Sequence, residues 1–250
     1  MQEWERFIRG MRLAPEAAQQ EGYPYDLPVL RRFQPVEFHS QIVFLAGENG
    51  TGKSTLLEAI AVASGLNPEG GSRDMRFSSR DTHSDLYQHV ILTKGVRRPS
   101  DSYFLRAESF YNLASEVDDL EQVGPPGFLA NYGGRSLHQQ SHGESFLALV
   151  QNRFRGHGLY LLDEPEAALS PMRQMTLMAE IHQLAREGSQ FFIATHSPIL
   201  MSCPDSTLYW LEDGRMEVRD YRQTPHYFIT RQFMENPQRM LGVLLEEENP

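Results

Sequence analysis

The feature that most constrains this chain is the loop Gly47-Glu48-Asn49-Gly50-Thr51-Gly52-Lys53-Ser54, which fits the pattern G-x-x-x-x-G-K-[ST] at every fixed position. Its glycines allow a tight backbone curl whose N–H groups can point at one anion. Lys53 can reach the outer phosphates of a nucleotide, and the Ser54 hydroxyl can ligate Mg²⁺. The pattern predicts a nucleotide site with these binding residues: Asn49, Gly50, Thr51, Gly52, Lys53, Ser54 and Thr55.

The segments on either side of the loop fit a nucleotide site better than a glycine-rich turn. Residues 41–46 are almost wholly apolar and predict a buried strand, and residues 55–61 predict a helix. The N-terminal end of that helix has unpaired N–H groups and a partial positive charge, which favour a bound phosphate. Strand, loop and helix together therefore predict phosphate binding.

Composition excludes several classes of function. The 250 residues carry a formal net charge of −10, which argues against a uniformly basic surface that coats nucleic acid. Cys203 is the only cysteine, so an internal disulfide is excluded and a reducing compartment is expected. No apolar run reaches the roughly 20 residues of a membrane-spanning helix, and the N-terminus lacks a secretory signal pattern. We therefore expect a cytoplasmic protein without direct membrane insertion.

The rest of the chain predicts alternating strands and helices, which indicates an α/β fold. Asp213-Gly214 between two alternating runs predicts a β-hairpin. The tail at residues 225–248 predicts helix with a break near Pro237. The remaining predicted strands are at residues 29–33, 36–38, 87–93, 102–108, 158–162 and 190–195, and the remaining predicted helices are at residues 110–120, 144–154 and 171–187.

Polar residues end two of the predicted strands, at the edge where ligands collect in parallel sheets. Asp163 and Glu164 follow the strand at residues 158–162, and His196 follows the strand at residues 190–195. Asp163 can hold Mg²⁺, Glu164 can polarise an attacking water, and His196 can contact the γ-phosphate. Each is also an ordinary residue for the end of a strand. Combined with the phosphate loop, they predict phosphoryl transfer to water.

These motifs, in this order, resemble those of ABC-type ATPases, the superfamily of transporter nucleotide-binding subunits and of the SMC, Rad50 and RecF-like proteins. Residues 47–54 resemble the Walker A loop. Residues 159–165 resemble Walker B with its catalytic glutamate. Residues 168–171 resemble the D-loop, and residues 195–197 resemble the switch-histidine segment.

Ser141-His142-Gly143-Glu144 stands where this family has its signature motif, which reads close to Leu-Ser-Gly-Gly-Gln. Ser141 and Gly143 match that motif, whereas His142 and Glu144 depart from it. A serine hydroxyl, a glycine N–H and a helix N-terminus can still bind a γ-phosphate. Glu144 places a negative charge where the family has a neutral amide, and its alternative role is a carboxylate that favours the helix dipole.

The resemblance implies one ATPase domain over residues 1–250. It implies a P-loop NTPase fold: a mixed central sheet flanked by helices, an antiparallel β part and a small helical lobe at about residues 72–145. It also implies ATP and Mg²⁺ as ligands, with each ATP held between Walker A of one subunit and the signature motif of another. An ATP-dependent dimer, most simply a homodimer, would close on ATP and open after hydrolysis.

The resemblance also assigns roles to residues. Glu164 and His196 would be catalytic, Ser54 and Asp163 would hold the metal, and Ser141, Gly143 and Glu144 would act in trans. Tyr25 is a candidate for stacking on adenine, with Tyr23 and simple core packing as alternatives. The glutamine that usually reaches the metal has no firm counterpart, and Gln88 and Glu108 are open candidates.

The spelling of the motifs favours one branch of the superfamily. The stretch between Ser54 and Ser141 lacks sustained heptads, so coiled-coil arms are not expected. Asp-Glu-Pro-Glu at residues 163–166, with Thr-His-Ser-Pro at residues 195–198, resembles soluble bacterial ATPases more than transporter subunits. We therefore expect a soluble ATPase whose dimer cycle acts on an unidentified protein partner.

Two alternatives stay open: the ATP-binding subunit of a transporter, and a DNA-associated ATPase of repair or phage defence. Nucleic acid would need a basic patch, for which the candidates are Arg73, Arg76, Arg80, Arg97 and Arg98. Acidic residues are interleaved with these arginines, which favours a mixed solvated surface over a DNA-binding patch.

Overall fold

The computed structural model describes residues 6–72, 84–107, 110–123 and 128–245. Its strands are β1 (Ile8–Leu13), β2 (Val36–Glu37), β3 (Ile42–Gly47), β4 (Gly71–Ser72), β5 (Val90–Lys94), β6 (Asp101–Arg106), β7 (Gly158–Asp163), β8 (Gln190–Ala194), β9 (Ser206–Glu212) and β10 (Arg215–Val218). Its α-helices are α1 (Pro28–Arg31), α2 (Lys53–Ala63), α3 (Phe110–Val123), α4 (His142–Arg153), α5 (Pro171–Arg186), α6 (Pro198–Met201), α7 (Pro225–Glu235) and α8 (Pro237–Leu244).

The larger sheet has the strand order β10-β9-β3-β8-β7-β6-β4. Its five inner strands, from β9 to β6, run parallel. An antiparallel strand pairs with each outer member of this set, β10 with β9 and β4 with β6. The sheet is therefore mixed, as predicted, and the carboxyl ends of its parallel strands lie along one edge.

Both faces of this sheet are covered, which explains why its central strands read as continuous apolar runs. Side chains alternate between the faces along each strand. In β3, Ile42 and Phe44 pack in the core cluster that includes residues of α3, α4 and α5. Val43 and Leu45 pack in a second cluster with residues of α2 and the smaller sheet. The sheet therefore separates two hydrophobic cores.

The smaller sheet is antiparallel, with the order β2-β1-β5. It packs on the α2 side of the larger sheet, where Met11 and Val90 share a cluster with Leu56. Buried Gln190 of β8 joins the two sheets, because its side-chain oxygen accepts the N–H groups of Phe7 and Ile8, each at 2.9 Å. This sheet is the antiparallel β part that the resemblance implies.

The strand predicted at residues 29–33 is wrong, because the chain forms helix α1 there. Pro28 occupies the first helical turn, where its fixed φ and missing N–H are tolerated. Val29 and Leu30 are buried in the core cluster beside α2. Tertiary packing therefore decides this short segment against its β-branched and apolar composition.

Other predicted elements are confirmed, with shifted limits. The hairpin forms, with Glu212 opposite Arg215 and positive φ at both Asp213 and Gly214. The tail is helical and breaks at Pro237, where the Asn236 side chain caps α8. The strand predicted at residues 87–93 begins only at Val90, after a 3₁₀ turn at Asp85–Gln88.

The helical part between the sheet strands begins later than the predicted lobe. The range of about 72–145 includes β5, in the smaller sheet, and β6, beside β7 in the larger one. Helices α3 and α4 come next, and their apolar residues share a core with the larger sheet. None of the helices in the described ranges is both long and apolar enough to cross a bilayer.

Candidate active site

The phosphate loop leaves the carboxyl end of β3 and enters α2. Its curl depends on glycine, since Gly50 and Gly52 have φ values of 77° and 98°, in the left-handed region that other residues avoid. Lys53, the first residue of α2, folds back over the loop. Its Nζ donates to the carbonyl groups of Gly47 at 3.0 Å and Glu48 at 2.9 Å. The loop is therefore closed around a lysine ammonium group.

The remaining loop residues take up distinct positions. Thr51 donates its hydroxyl to the Glu48 carbonyl at 2.9 Å, which stabilises the turn. Asn49 is exposed and Ser54 is half-buried at the start of α2. Thr55 is half-buried, and its hydroxyl lies 3.0 Å from that of Tyr23. The predicted phosphate-binding residues thus lie together between the carboxyl end of β3 and the first turn of α2.

The Lys53 side chain is a buried cation, with 4% of the residue exposed, and so depends on its neighbours. Burial lowers its pKa, and the negative charges of Glu164 and Asp163 act in the opposite direction. These two carboxylates come from the end of β7, over 100 residues along the chain in the sequence. The fold therefore places the predicted phosphate-binding cation beside the predicted acidic pair.

Asp163 ends β7 and is buried, with Arg106 of β6 as its neighbour in register. The Arg106 Nε lies 3.4 Å from Asp163 Oδ2. The same guanidinium donates from Nη1 to Glu58 Oε2 at 2.8 Å. Asp163 thus carries its charge in a partly neutralised setting, which offsets the cost of burying a carboxylate.

Glu164 has an uncommon backbone conformation. Its φ is 48° and its ψ is 50°, in the left-handed region, which for a non-glycine residue costs on the order of 1–3 kcal/mol. Its N–H donates to the Ala194 carbonyl at 2.9 Å, which anchors this turn to β8. The carboxylate is half-exposed, and its Oε1 lies 3.6 Å from Nε2 of His196.

His196 follows β8 and is held on two sides. Its backbone N–H donates to the half-buried Glu166 carboxylate, and its Nδ1 forms a 3.0 Å hydrogen bond with Nε2 of His226. Burial lowers the His196 pKa, and the nearby Lys53 charge lowers it further. Since an ordinary histidine has a pKa of about 6.5, this ring is neutral at pH 7.

A cavity of about 390 Å³ opens at this edge. It is lined by Ser54, Arg106, Ala107, His142, Asp163, Glu164 and Ala167. The hydroxyl and the carboxylate that the sequence predicts as metal ligands thus face one space. Mg²⁺ prefers oxygen ligands and is commonly held by one or two protein groups plus phosphates, so this donor set fits the ion.

The predicted signature residues lie at the N-terminus of α4, where Ser141 is the N-cap. Ser141 and Glu144 form a capping box: the Ser141 hydroxyl donates to Glu144 Oε2 at 2.7 Å, and its N–H does so at 3.1 Å. Arg173 of α5 donates to Ser141 Oγ at 3.3 Å and to Glu144 Oε1 at 3.0 Å. The two hydrogen bonds from Ser141 are the main reason why the pKa of Glu144 is lowered. Glu144 therefore caps α4 within its own chain, and its predicted role in trans stays a prediction.

Gly143 is required by a close approach of the backbone. A Cβ atom there would lie 2.7 Å from the Ala168 carbonyl oxygen and 2.7 Å from Arg173 Nη1. Ala168 belongs to the segment at residues 168–171 that comes after the acidic pair. The start of α4 is thus packed against that segment without room for a side chain.

Comparison with known proteins agrees with this geometry. A family model described as "AAA domain" matches residues 27–100. A second, described as "AAA domain, putative AbiEii toxin, Type IV TA system", matches residues 132–202. The cytochrome c biogenesis ATP-binding export protein CcmA of Legionella pneumophila is 29% identical over 199 residues, covering 75% of this chain and 94% of that protein. The thiamine import ATP-binding protein ThiQ of Vibrio cholerae is 28% identical over 193 residues, covering 71% and 77%.

The chain shares the motifs and the fold class of ABC-type P-loop ATPases. Among solved structures, cbiO1 from Clostridium perfringens, part of the ABC transporter complex cbiONQ, aligns with a TM-score of 0.48. That alignment has 16% identity and covers 96% of this chain and 99% of that one.

Tyr25 lies in the core cluster beside α2 rather than at the edge that holds the phosphate loop. Tyr25 is 8% exposed, and its hydroxyl lies 2.7 Å from His89 Nδ1, with the two rings edge to face. This ring has little surface for adenine, so burial argues against the stacking prediction. Tyr23 is 74% exposed and bonds to Thr55, directly after the phosphate loop. Core packing, one of the two alternatives, therefore describes Tyr25, and Tyr23 stays a candidate for contact with adenine.

The remaining residues that the sequence singles out lie elsewhere in the fold or outside the described residues. Gln88 lies in the 3₁₀ turn before β5 of the smaller sheet. Glu108 lies outside the described residues. Arg73, Arg76 and Arg80 of the considered basic patch lie outside them too, whereas Arg97 and Arg98 are exposed beyond β5.

The sequence did not predict two residues of this site, Arg106 and His226. Arg106 had a usable signal, because it ends a strand as Asp163 does and parallel strand ends meet at one edge. His226 had none, since it lies in a helical tail whose direction of packing the sequence does not specify. Only the fold brings it to His196.

Proposed function

We propose that this chain binds and hydrolyses ATP at the carboxyl edge of its larger sheet. The observation that carries the proposal is the convergence of Lys53, the Asp163–Glu164 pair and His196 from three separate strand ends. A cation, a metal-binding carboxylate, a general base and a neutral imidazole are the groups that phosphoryl transfer to water requires. A glycine-rich surface turn without a nucleotide site would have no reason to bring these four groups together.

Each protein group has its own part in this reaction. Mg²⁺, when bound by Ser54 and Asp163, would offset negative charge on the β- and γ-phosphates. The Lys53 ammonium and the N–H groups at the start of α2 bind the same oxygens. Glu164, half-exposed and beside His196, accepts a proton from the attacking water. Neutral His196 orients the γ-phosphate and the water network. Tyr23 offers its exposed ring to the adenine.

We further propose that a second copy of the chain completes each site. Ser141 and His142 are exposed at the N-terminus of α4, and a helix N-terminus suits a γ-phosphate presented from outside. An ATP bound between two chains would then hold them together, and hydrolysis would release them. The cycle would run in the cytoplasm and act on a protein partner that binds the open or closed dimer.

A second candidate is the ATP-binding subunit of an ABC transporter. The observation that favours it is the length of the match, since 94% of a protein named as an ATP-binding export protein aligns with this chain. That role uses the same site and differs only in the partner. It predicts co-purification with a membrane protein, whereas the soluble cycle predicts co-purification with soluble proteins.

The variant Glu164→Gln tests hydrolysis directly. It removes the base but keeps the size and hydrogen-bonding capacity of the side chain, so we expect turnover to fall by about 10² or more while ATP binding persists. Phosphate release and calorimetric ATP binding measure the two properties. Glu217→Gln, on the outer strand β10, is the matched control and should behave as wild type. Unchanged turnover in purified Glu164→Gln would remove Glu164 as the base.

A further inference from the structure

His226 is a second histidine at the active-site edge, supplied by the C-terminal helices. It lies in the first turn of α7, whose start is fixed by the fully buried N-cap Thr224. The Thr224 hydroxyl accepts the N–H of Tyr227 at 3.3 Å and donates to the Tyr221 carbonyl at 2.6 Å. The His226 side chain is 16% exposed. A buried cap thus sets where this imidazole lies.

The His226 ring sits between the phosphate loop and His196. Its Nε2 is 3.0 Å from Nδ1 of His196, and its Nδ1 is 3.8 Å from Oε1 of Glu48 in the loop. It contacts Trp210 of β9 edge to face, with ring centroids 5.2 Å apart. Three elements distant in sequence therefore fix its position, and it faces the site rather than solvent.

This contact determines which nitrogen of His196 points toward Glu164, a residue that lines the cavity. Whichever ring donates, the bond to His226 occupies Nδ1 of His196. The opposite nitrogen, Nε2, is then directed toward Glu164, 3.6 Å away. If His226 were absent, the His196 ring could rotate about its side-chain bonds and would break one contact, the one between Nε2 and Glu164. The restraint on the ring therefore comes largely from α7.

We propose that His226 is a positioning residue that holds His196 with Nε2 toward the γ-phosphate site. Hydrolysis then depends on how α7 packs against the rest of the chain. The inference rests on the proposed function, since it assigns His196 a part in ATP turnover. The hydrogen bond of the His226 ring is to His196. The effect of His226 passes through His196, and this separates it from the catalytic groups.

Steady-state kinetics of five variants test this role. His226→Leu removes the bond, and we expect it to lower kcat by about tenfold while ATP affinity stays within twofold of wild type. His226→Gln can still donate or accept at the same place, so it should recover most of the loss. In a His196→Ala background, His226→Leu should have no further effect, because the residue through which it acts is gone. The matched control is His182→Leu. His182 is on α5, and its Nε2 lies 3.3 Å from Oδ2 of Asp205.

A purely structural role would give a different pattern. The proposal is overturned if His226→Leu leaves kcat unchanged, if it lowers kcat as much without His196 as with it, or if His226→Gln is as impaired as His226→Leu. Melting temperatures of all variants identify any loss that comes from unfolding alone.

Failure of the proposed function has its own signature. In that case wild type would hydrolyse ATP no faster than Lys53→Ala. The imidazole ¹H–¹⁵N signals of His196 then decide the inference by themselves. They should shift in His226→Leu and stay in place in His182→Leu, and unshifted His196 signals in both variants would overturn it.

Discussion

The phosphate loop and the N-terminus of α4 are both predicted to bind phosphate, yet the chain builds them in different ways. In the loop, buried Lys53 bonds to two loop carbonyls and lies near carboxylates from β7. At α4, exposed Ser141 bonds to Glu144 three residues away, and Arg173 bonds to both. The first element is held by tertiary convergence, and the second is satisfied locally at the surface.

This difference separates two steps of the proposed cycle. The loop is ready to take a nucleotide within one chain. A γ-phosphate that reaches α4 from another chain must compete with Glu144 for the Ser141 hydroxyl, and it meets Arg173 as a ready cation. Changes in the loop should therefore affect ATP binding itself, whereas changes at α4 should affect only the later closure of two chains on the bound nucleotide.

The largest expected effect comes from Lys53→Ala. Loss of the ammonium removes a charge-assisted contact of about 1.5–3 kcal/mol and leaves Asp163 and Glu164 to repel the phosphates. ATP affinity should fall by at least about tenfold, as measured by calorimetry. Lys94→Ala, on exposed β5 residue Lys94, controls for loss of a surface charge. Intact affinity in Lys53→Ala would show that the loop does not bind the phosphates.

Ser141→Arg should have an effect confined to the second step. The larger cationic side chain would fill the space that a partner's γ-phosphate needs, so the isolated subunit should bind ATP normally but fail to dimerise with it. Ser141→Ala separates this from helix capping, whose loss costs about 1 kcal/mol of stability without adding bulk. If Ser141→Arg still dimerises with ATP, the assignment of α4 as the trans element is wrong.

The smallest expected effect on ATP binding and on dimer closure concerns Cys203, which belongs to neither element. It is buried, and burial raises the pKa of its thiol to about 12, so the reactive thiolate is scarce at pH 8. Alkylation of the folded protein by iodoacetamide should be at least about 100-fold slower than after unfolding in denaturant. Equal rates would place this thiol at the surface and leave the site unaffected.

The sequence predicts those parts of the site whose chemistry is tied to local pattern. Lys53 follows from the spacing of glycines, and Asp163 and His196 follow from polar residues at the ends of apolar strands. Tyr23 and Tyr25 could not be separated, because two tyrosines so close together carry no signal for which one faces the core. Residues 29–31 are helical, within α1, because Val29 and Leu30 pack beside α2. His226 depends on the direction in which α7 folds back, which only tertiary contacts decide.

The decisive observation is the mass of Glu164→Gln in solution with and without ATP, measured by light scattering at one protein concentration. Because this variant binds ATP but hydrolyses it slowly, the proposed sandwich should accumulate. We expect a monomer of 28.6 kDa without nucleotide and a species of twice that mass with ATP. Addition of Ser141→Arg to the same chain should restore the monomer. A mass that stays monomeric while calorimetry shows bound ATP would contradict a site completed by two chains.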